Sequence, residues 1–456
     1  MTTREAAAAL ELAQRACRAA DADEADAFAH RERSAFARFA ASSVHQPTLI
    51  EDESVTIRVV RDGKVGVVST NRTDEKGLCD AARRAADAAE RGRADASFPG
   101  LPEPAEPRVV EGYDEATAAL VPEEQARLAW SLIEGAPEYG LYGYVTSGVT
   151  EVAVASTTGV AVSQRLTDAT AVALAAGEGC SGYADATSWR AGDLDLGAVA
   201  REAVEKAGRT RRAGELEAGT YRAVLEPVAL GELLWYFGFS SLGGLALLEG
   251  RSYLAGRIGE RVFDPAVSIV EDPLDPAGLP KAFDFEGVPK EPVAIVEDGV
   301  AKDVVWDRRT AARAGKRSTG HALAPPSQSL GPIPFNLAMA EGDASLEELV
   351  ERVGDGIYVT RLHYVNIVDP REAVLTGMTR DGTFLIEGGR VTKPLVNLRF
   401  TTSFPALAGA VLGLGRERRL VNQSDFYDER YPYGVLVPAI ATEAFTVVGT
   451  GSGPGL

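Results

Sequence analysis

Apolar residues recur at helical spacing over residues 1–20, and Thr2 with Glu5 reads as a capping box. Between residues 34 and 70 the period shortens to that of strands. The clearest pair is 55–60 and 64–69, separated by Asp62-Gly63. An Asp-Gly step between β-branched runs specifies a hairpin, because glycine takes positive φ without steric cost. Residues 74–91, rich in alanine and charge, predict a second helix. FPGLPEPAEP at 98–107 holds four prolines, which exclude a helix interior or a central strand. A helix at 122–135 follows, with Pro122 suited to its first turn. Alternation over 144–176 predicts an antiparallel meander, and a further helix covers about 195–210.

A second region begins near Gly219. Strand 221–227 runs into an apolar helix at 228–248. Hairpins are predicted at 292–307, leading into RRTAARAG, and at 383–394 around Gly388-Gly389. A helix at 345–353 carries Ser345 and Glu348 as a capping box and Gly354 as its stop. A short Ala/Leu/Gly helix is predicted at 403–415, then strands at 434–448 and a flexible tail. The fold class is α+β: an N-terminal mixed domain with antiparallel strands, and a C-terminal domain built on a large, mostly antiparallel curved sheet with helices. The boundaries are 1–215, 216–450 and a tail at 451–456.

Composition narrows the function. The chain has 456 residues, 47 Lys plus Arg against 66 Asp plus Glu, and a formal charge of −19. Such a surface repels phosphate backbones and anionic lipid, so neither nucleic acid nor a membrane is an expected partner. The one basic run, 209–212, reads as a solvated helix end. No stretch nears the roughly 20 apolar residues that span a bilayer. The N-terminus lacks signal-peptide character. The cysteines, Cys17, Cys79 and Cys180, are odd in number and scattered, which points to a reducing cytoplasm.

The chain has four histidines: His30, His45, His321 and His363. No two stand four or five residues apart, so HExxH and HExxxH zinc sites are both ruled out. His321 lies in RSTGHALAPPS (317–327), where small neighbours would let its ring line a backbone-walled cleft. The competing reading is a loop histidine satisfied by main-chain hydrogen bonds. His363 reads as a packed strand side chain, and His30 and His45 as surface or packing residues. Asp284 and Glu286 in FDFEGVP (283–289) read as turn residues.

Six segments occur in an order that resembles the TldD/PmbA (TldD/TldE) peptidase family. They are SYLAGRIGERVFDPAVSIVEDP (252–273), FDFEGVP, the EDG hairpin with DRRTAARAG (307–315), STGHA (318–322), GDGIYVT (354–360) and FLIEGGRVTKPL (384–395). The family implies a pairing of unlike subunits, in which TldD-type chains hold zinc on an HExxxH helix. The matching helix here, 227–245, places Trp235 and Tyr236 at the His-Glu pair and Ser240 at the second His. The resemblance therefore implies no metal and no catalytic residue in this chain, with zinc in a TldD-type partner. STGHA resembles the PmbA/TldE type, which makes Ser318, Thr319, Gly320 and His321 candidate lining of a peptide cleft. Alternatives are an enzyme with a different active site near His321, and a regulatory interaction protein.

Overall fold

Asp62 and Gly63 take φ of 51° and 71°, and strands Ser43–Arg61 and Lys64–Thr70 pair antiparallel on either side of them. This hairpin forms one side of a six-stranded antiparallel sheet in the computed structural model, which describes residues 6–22, 24–424, 426 and 429–451. In spatial order the strands are Lys64–Thr70, Ser43–Arg61, Glu24–Ala40, Gly140–Ser156, Ala161–Gly177 and Cys180–Ser188. The first helix is Ala6–Ala19; the expected capping box at Thr2 and Glu5 lies outside the described residues.

Alternate residues of a strand point to opposite faces. On strand Glu24–Ala40 one face carries Ala25, Ala27, Ala29, Ala37 and Phe39. These pack with the alanine-rich faces of helices Ala6–Ala19, Glu75–Arg91, Pro122–Glu134 and Leu196–Arg209. The opposite face carries Asp26, Phe28, His30, Glu32 and Ser34, all buried. It is covered by the C-terminal half, where Phe28, Val152 and Val154 join Ala282 and Phe283. A sheet covered on both faces, with charge on one of them, masks the hydrophobic alternation. That is why residues 24–33 do not read as strand in the sequence.

The N-terminal half repeats one unit: helix, three antiparallel strands, helix. Ala6, Glu24, Lys64 and Gly66 in the first copy recur, at one constant spacing, as Pro122, Gly140, Cys180 and Gly182 in the second. Both glycines let a helix close onto a strand. A Cβ on Gly66 would stand 2.0 Å from the Ala85 carbonyl oxygen, and one on Gly182 would stand 2.2 Å from that of Ala203. Backbone cannot yield at such distances without the helix moving. Gly66→Ala and Gly182→Ala should each lower the unfolding free energy by about 1–3 kcal/mol. Urea midpoints test this, and wild-type midpoints would refute the close-packing account.

The C-terminal half is organised by a thirteen-stranded mixed sheet among the described residues. Its long strand Gly434–Thr450 pairs antiparallel with Gly219–Leu225, Leu398–Ser403 and Val411–Asn422, and parallel with Leu337–Met339. Helix Leu346–Val353 begins with the expected capping box of Ser345 and Glu348 and stops at Gly354, φ 70°. One expectation is corrected. The helix predicted over 403–415 is confined to Phe404–Gly409, and the chain then becomes strand Val411–Asn422. The pairing of that strand with Gly434–Thr450 outweighs the local helix preference of its Leu and Arg residues. No helix among the described residues is long and apolar enough to cross a membrane.

Candidate functional site

Helix Pro227–Ser241 starts with proline at its first position and packs under strand Gly434–Thr450. Ten of its fifteen residues are buried. Beyond Pro227 the accessible ones are Glu232, Trp235, Tyr236 and Phe239, which is the i, i+3, i+4, i+7 stripe of one helix face. Trp235 lies against Tyr433, with ring centroids 4.9 Å apart, and against Phe335 at 6.1 Å. Phe239 is 43% exposed and continues the stripe, 6.5 Å from Trp235. Glu232 accepts no hydrogen bond among the described residues. Partial burial pushes its carboxyl up to about 7, against the attraction of Arg361. The Tyr236 phenol is raised by burial and by that carboxyl.

Ser240, which the sequence resemblance sets at the second zinc histidine, is buried. Its hydroxyl donates back to the Phe237 carbonyl at 3.2 Å. The helix offers no imidazole or thiolate and one carboxyl on its open side. A protein zinc site draws on three or four such donors, and no group of three His, Cys, Asp or Glu that could hold a metal gathers among the described residues. The donor set does not fit zinc.

The segment 318–321 binds mainly to its own fold. The Ser318 hydroxyl donates to the Trp306 carbonyl at 3.2 Å. Thr319 Oγ1 accepts from the Trp306 N–H at 2.8 Å and lies 2.9 Å from His321 Nδ1. Gly320, at φ 74°, lies so close to Pro289 that a Cβ would stand 2.3 Å from its carbonyl oxygen. The His321 ring is 1% exposed, with Nε2 3.3 Å from Glu271 Oε1. Glu271 is a carboxylate that also accepts from the Asn336 N–H. A carboxylate at Nε2 favours the tautomer with the proton there, and the Thr319 hydroxyl, with one hydrogen to give, is shared between Nδ1 and the Trp306 carbonyl 3.1 Å away. Burial, then the Lys290 ammonium, push the imidazole down to about 4.

Around this ring lies a buried ionic cluster. Asp284 accepts from the N–H groups of Glu286, Val288 and Ala322 at 2.9–3.0 Å. Burial and the nearby Glu286 raise it to about 7. Asp284 and Glu286 do form the expected turn, and the N-terminal sheet encloses it. Lys281 donates to the Leu279 carbonyl at 2.8 Å, and burial lowers it to about 7. Lys281 and Lys290 stand outside the six segments that carry the family resemblance, and Glu271, though it lies within 252–273 at the end of strand Ile269–Glu271, has nothing near it in sequence that marks it as a partner of His321. His363 lies half-buried on strand Leu362–Asp369, its ring against Tyr364.

Two buried arginines tie the halves together. Arg58 pairs with Asp26 and with Glu286. Arg430 donates from Nε and Nη2 to the two oxygens of Asp168, at 2.7 and 2.6 Å. Its own N–H donates to Glu32, and its carbonyl accepts from Thr150 and from His30 Nε2, both at 2.9 Å.

Three successive segments match one family. Residues 25–89 match PmbA/TldA metallopeptidase domain 1, residues 113–211 the central domain and residues 218–449 the C-terminal domain. A metalloprotease of Methanothermobacter thermautotrophicus is 27% identical over 234 residues, 50% of this chain and 49% of that protein. A metalloprotease TldD homolog of Haemophilus influenzae is 27% identical over 57% of this chain and 54% of its own. The chain thus spans about half the length of the curated relatives it matches. The crystal structure of TldE from Thermococcus kodakarensis superposes with a TM-score of 0.86 at 20% identity, over 96% of this chain and 99% of that one. At that identity the likeness speaks for the fold, and the three matched segments together place this chain in the PmbA/TldD metallopeptidase family.

Proposed function

We propose that this chain is the subunit without metal in a two-subunit zinc peptidase that processes or degrades unfolded peptides. Zinc and the water-activating glutamate would belong to a TldD-type partner, where the metal polarises the peptide carbonyl and lowers the pKa of its water. The observation that carries this reading is the open side of helix Pro227–Ser241. It presents Trp235 and Tyr236 where the resemblance places the His-Glu pair, with Phe239 beside them and Ser240 buried at the place of the second His, while the surrounding frame of the family persists. An aromatic surface suits subunit packing and peptide contact, and it supplies no metal ligand.

The reading of an independent hydrolase centred on His321 has less support. The Thr319–His321–Glu271 chain has the order of a nucleophile, base and carboxylate. However, its ring is enclosed, and its hydroxyl oxygen is engaged by the Trp306 N–H. The test is metal analysis and peptide cleavage by the purified chain, alone and co-expressed with an HExxxH-bearing family member. The expected result is no stoichiometric zinc and no cleavage alone, and chelator-sensitive cleavage by a co-purifying pair. Chelator-sensitive cleavage by the lone chain would overturn the proposal.

A further inference from the structure

Helix Pro227–Ser241 is closed on every side but one, and that side has an uneven chemistry. Trp235, Tyr236 and Phe239 are aromatic, extended laterally by Phe335 and Tyr433. Among them stands one carboxyl, Glu232, with no hydrogen-bond donor in reach among the described residues. On the helix it neighbours Trp235 three positions on and Tyr236 four positions on. The nearest influential cation, Arg361, is already engaged. Its Nη1 donates to Asp381 at 2.8 Å, and its guanidinium lies 3.8 Å from the Tyr183 ring centroid.

A carboxylate flanked by aromatic faces attracts an ammonium or guanidinium through charge and through the ring quadrupole together. Neither an anion nor a purely aliphatic group gains both terms. The chain's charge of −19 adds a long-range field of the same preference. We propose that this stripe binds an extended peptide through a cationic side chain, lysine or arginine, held by Glu232 between Trp235 and Tyr236. The assignment rests on the reading of the chain as a peptidase subunit, and it names the class of peptide that subunit selects.

The probes are two end-blocked pentapeptides, Ala-Ala-Lys-Leu-Ala and its norleucine counterpart, titrated calorimetrically into the full chain at pH 8. The lysine peptide should bind about tenfold or more tightly, a difference of about 1.4 kcal/mol. Glu232→Gln should bring the two peptides level. Trp235→Ala should weaken the lysine peptide while leaving the circular dichroism spectrum unchanged, and Trp235→Phe should restore part of the loss. Equal binding of both peptides by the wild type, or a preference that survives Glu232→Gln, would overturn the proposal. So would a change of solution mass in Trp235→Ala, which would make the stripe a contact between copies of this chain. Partner recruitment and metal content do not enter this measurement. Failure of the subunit reading would appear in the co-expression test, and failure of the cation preference would appear here.

Discussion

Replacing Arg430 with methionine should lower the unfolding free energy by about 3–5 kcal/mol, the usual cost of breaking a buried ion pair from one side. The arginine is 2% exposed and Asp168 1%. Methionine fills much of the volume but leaves the Asp168 carboxylate deprived of two charge-assisted donors, and Thr146 deprived of a third. The main-chain bonds of residue 430 to Glu32, His30 and Thr150 do not depend on the side chain and should persist. The loss should therefore come from the stranded carboxylate more than from displacement of the segment. The double substitution Arg430→Met with Asp168→Leu separates the two causes. If the stranded charge dominates, the pair should recover most of the lost stability. Chemical denaturation of the four proteins in the cycle decides the matter, and an Arg430→Met protein within about 1 kcal/mol of wild type would refute the stabilising role of the Arg430–Asp168 pair.

The second large effect is one of pH. His321 falls from an ordinary value of 6.5 to about 4 in the folded protein. Between those values the unfolded chain binds a proton that the folded chain does not, so stability falls as pH drops from about 6.5 to about 4. Asp284 rises from 3.8 to about 7. In its window the folded chain holds the extra proton, so its contribution is present at low pH and is lost as pH rises toward 7. Each group contributes a few kcal/mol at most, because a tenfold change in proton affinity is worth about 1.4 kcal/mol. The two slopes oppose each other over nearly the same interval, but Glu232, raised from 4.5 to about 7, adds a slope of the same sign as Asp284, so the wild type should lose stability as pH rises from about 4.5 to 7. His321→Gln should steepen that decline with rising pH, and Asp284→Asn should flatten it. Urea midpoints from pH 4 to 8 read the slopes, whatever constant offset each substitution adds. Two mutants with parallel profiles would contradict the burial of these groups.

What can be read along the chain is what local chemistry decides. The Asp62-Gly63 hairpin needs two residues in the left-handed region, and the capping box needs only Ser345 and Glu348. What cannot be read depends on partners remote in sequence. Arg58 meets Glu286 across 228 residues and Arg430 meets Asp168 across 262. Nothing near any of these four residues marks it as buried. Strand Cys180–Ser188, made largely of small residues, is illegible for the same reason: Gly182 becomes meaningful only once helix Leu196–Arg209 lies on it. At the candidate site, Trp235, Tyr236 and Ser240 can be picked out through the family resemblance alone. Glu232 escapes notice because a helix apolar nearly all round does not announce which side will stay open; packing against the sheet settles that.

The repeated unit in the N-terminal half has a further consequence. Its two copies meet along strands Glu24–Ala40 and Gly140–Ser156, so this half is in effect a homodimer fused into one chain, with residues 98–107 in its tether. A true homodimer is bound by its symmetry: any residue placed on one side of the seam appears on the other. Fusion removes that obligation. Arg58 precedes Gly66 by the same interval that separates Leu174 from Gly182. One copy thus carries a buried cation matched to Asp26 and Glu286, while its counterpart carries a plain hydrocarbon. Two identical subunits could not have supplied a single arginine to a single turn of the C-terminal half. The tether makes this one-sided ionic junction possible, and together with Arg430 on Asp168 it sets one orientation of the C-terminal half on the sheet.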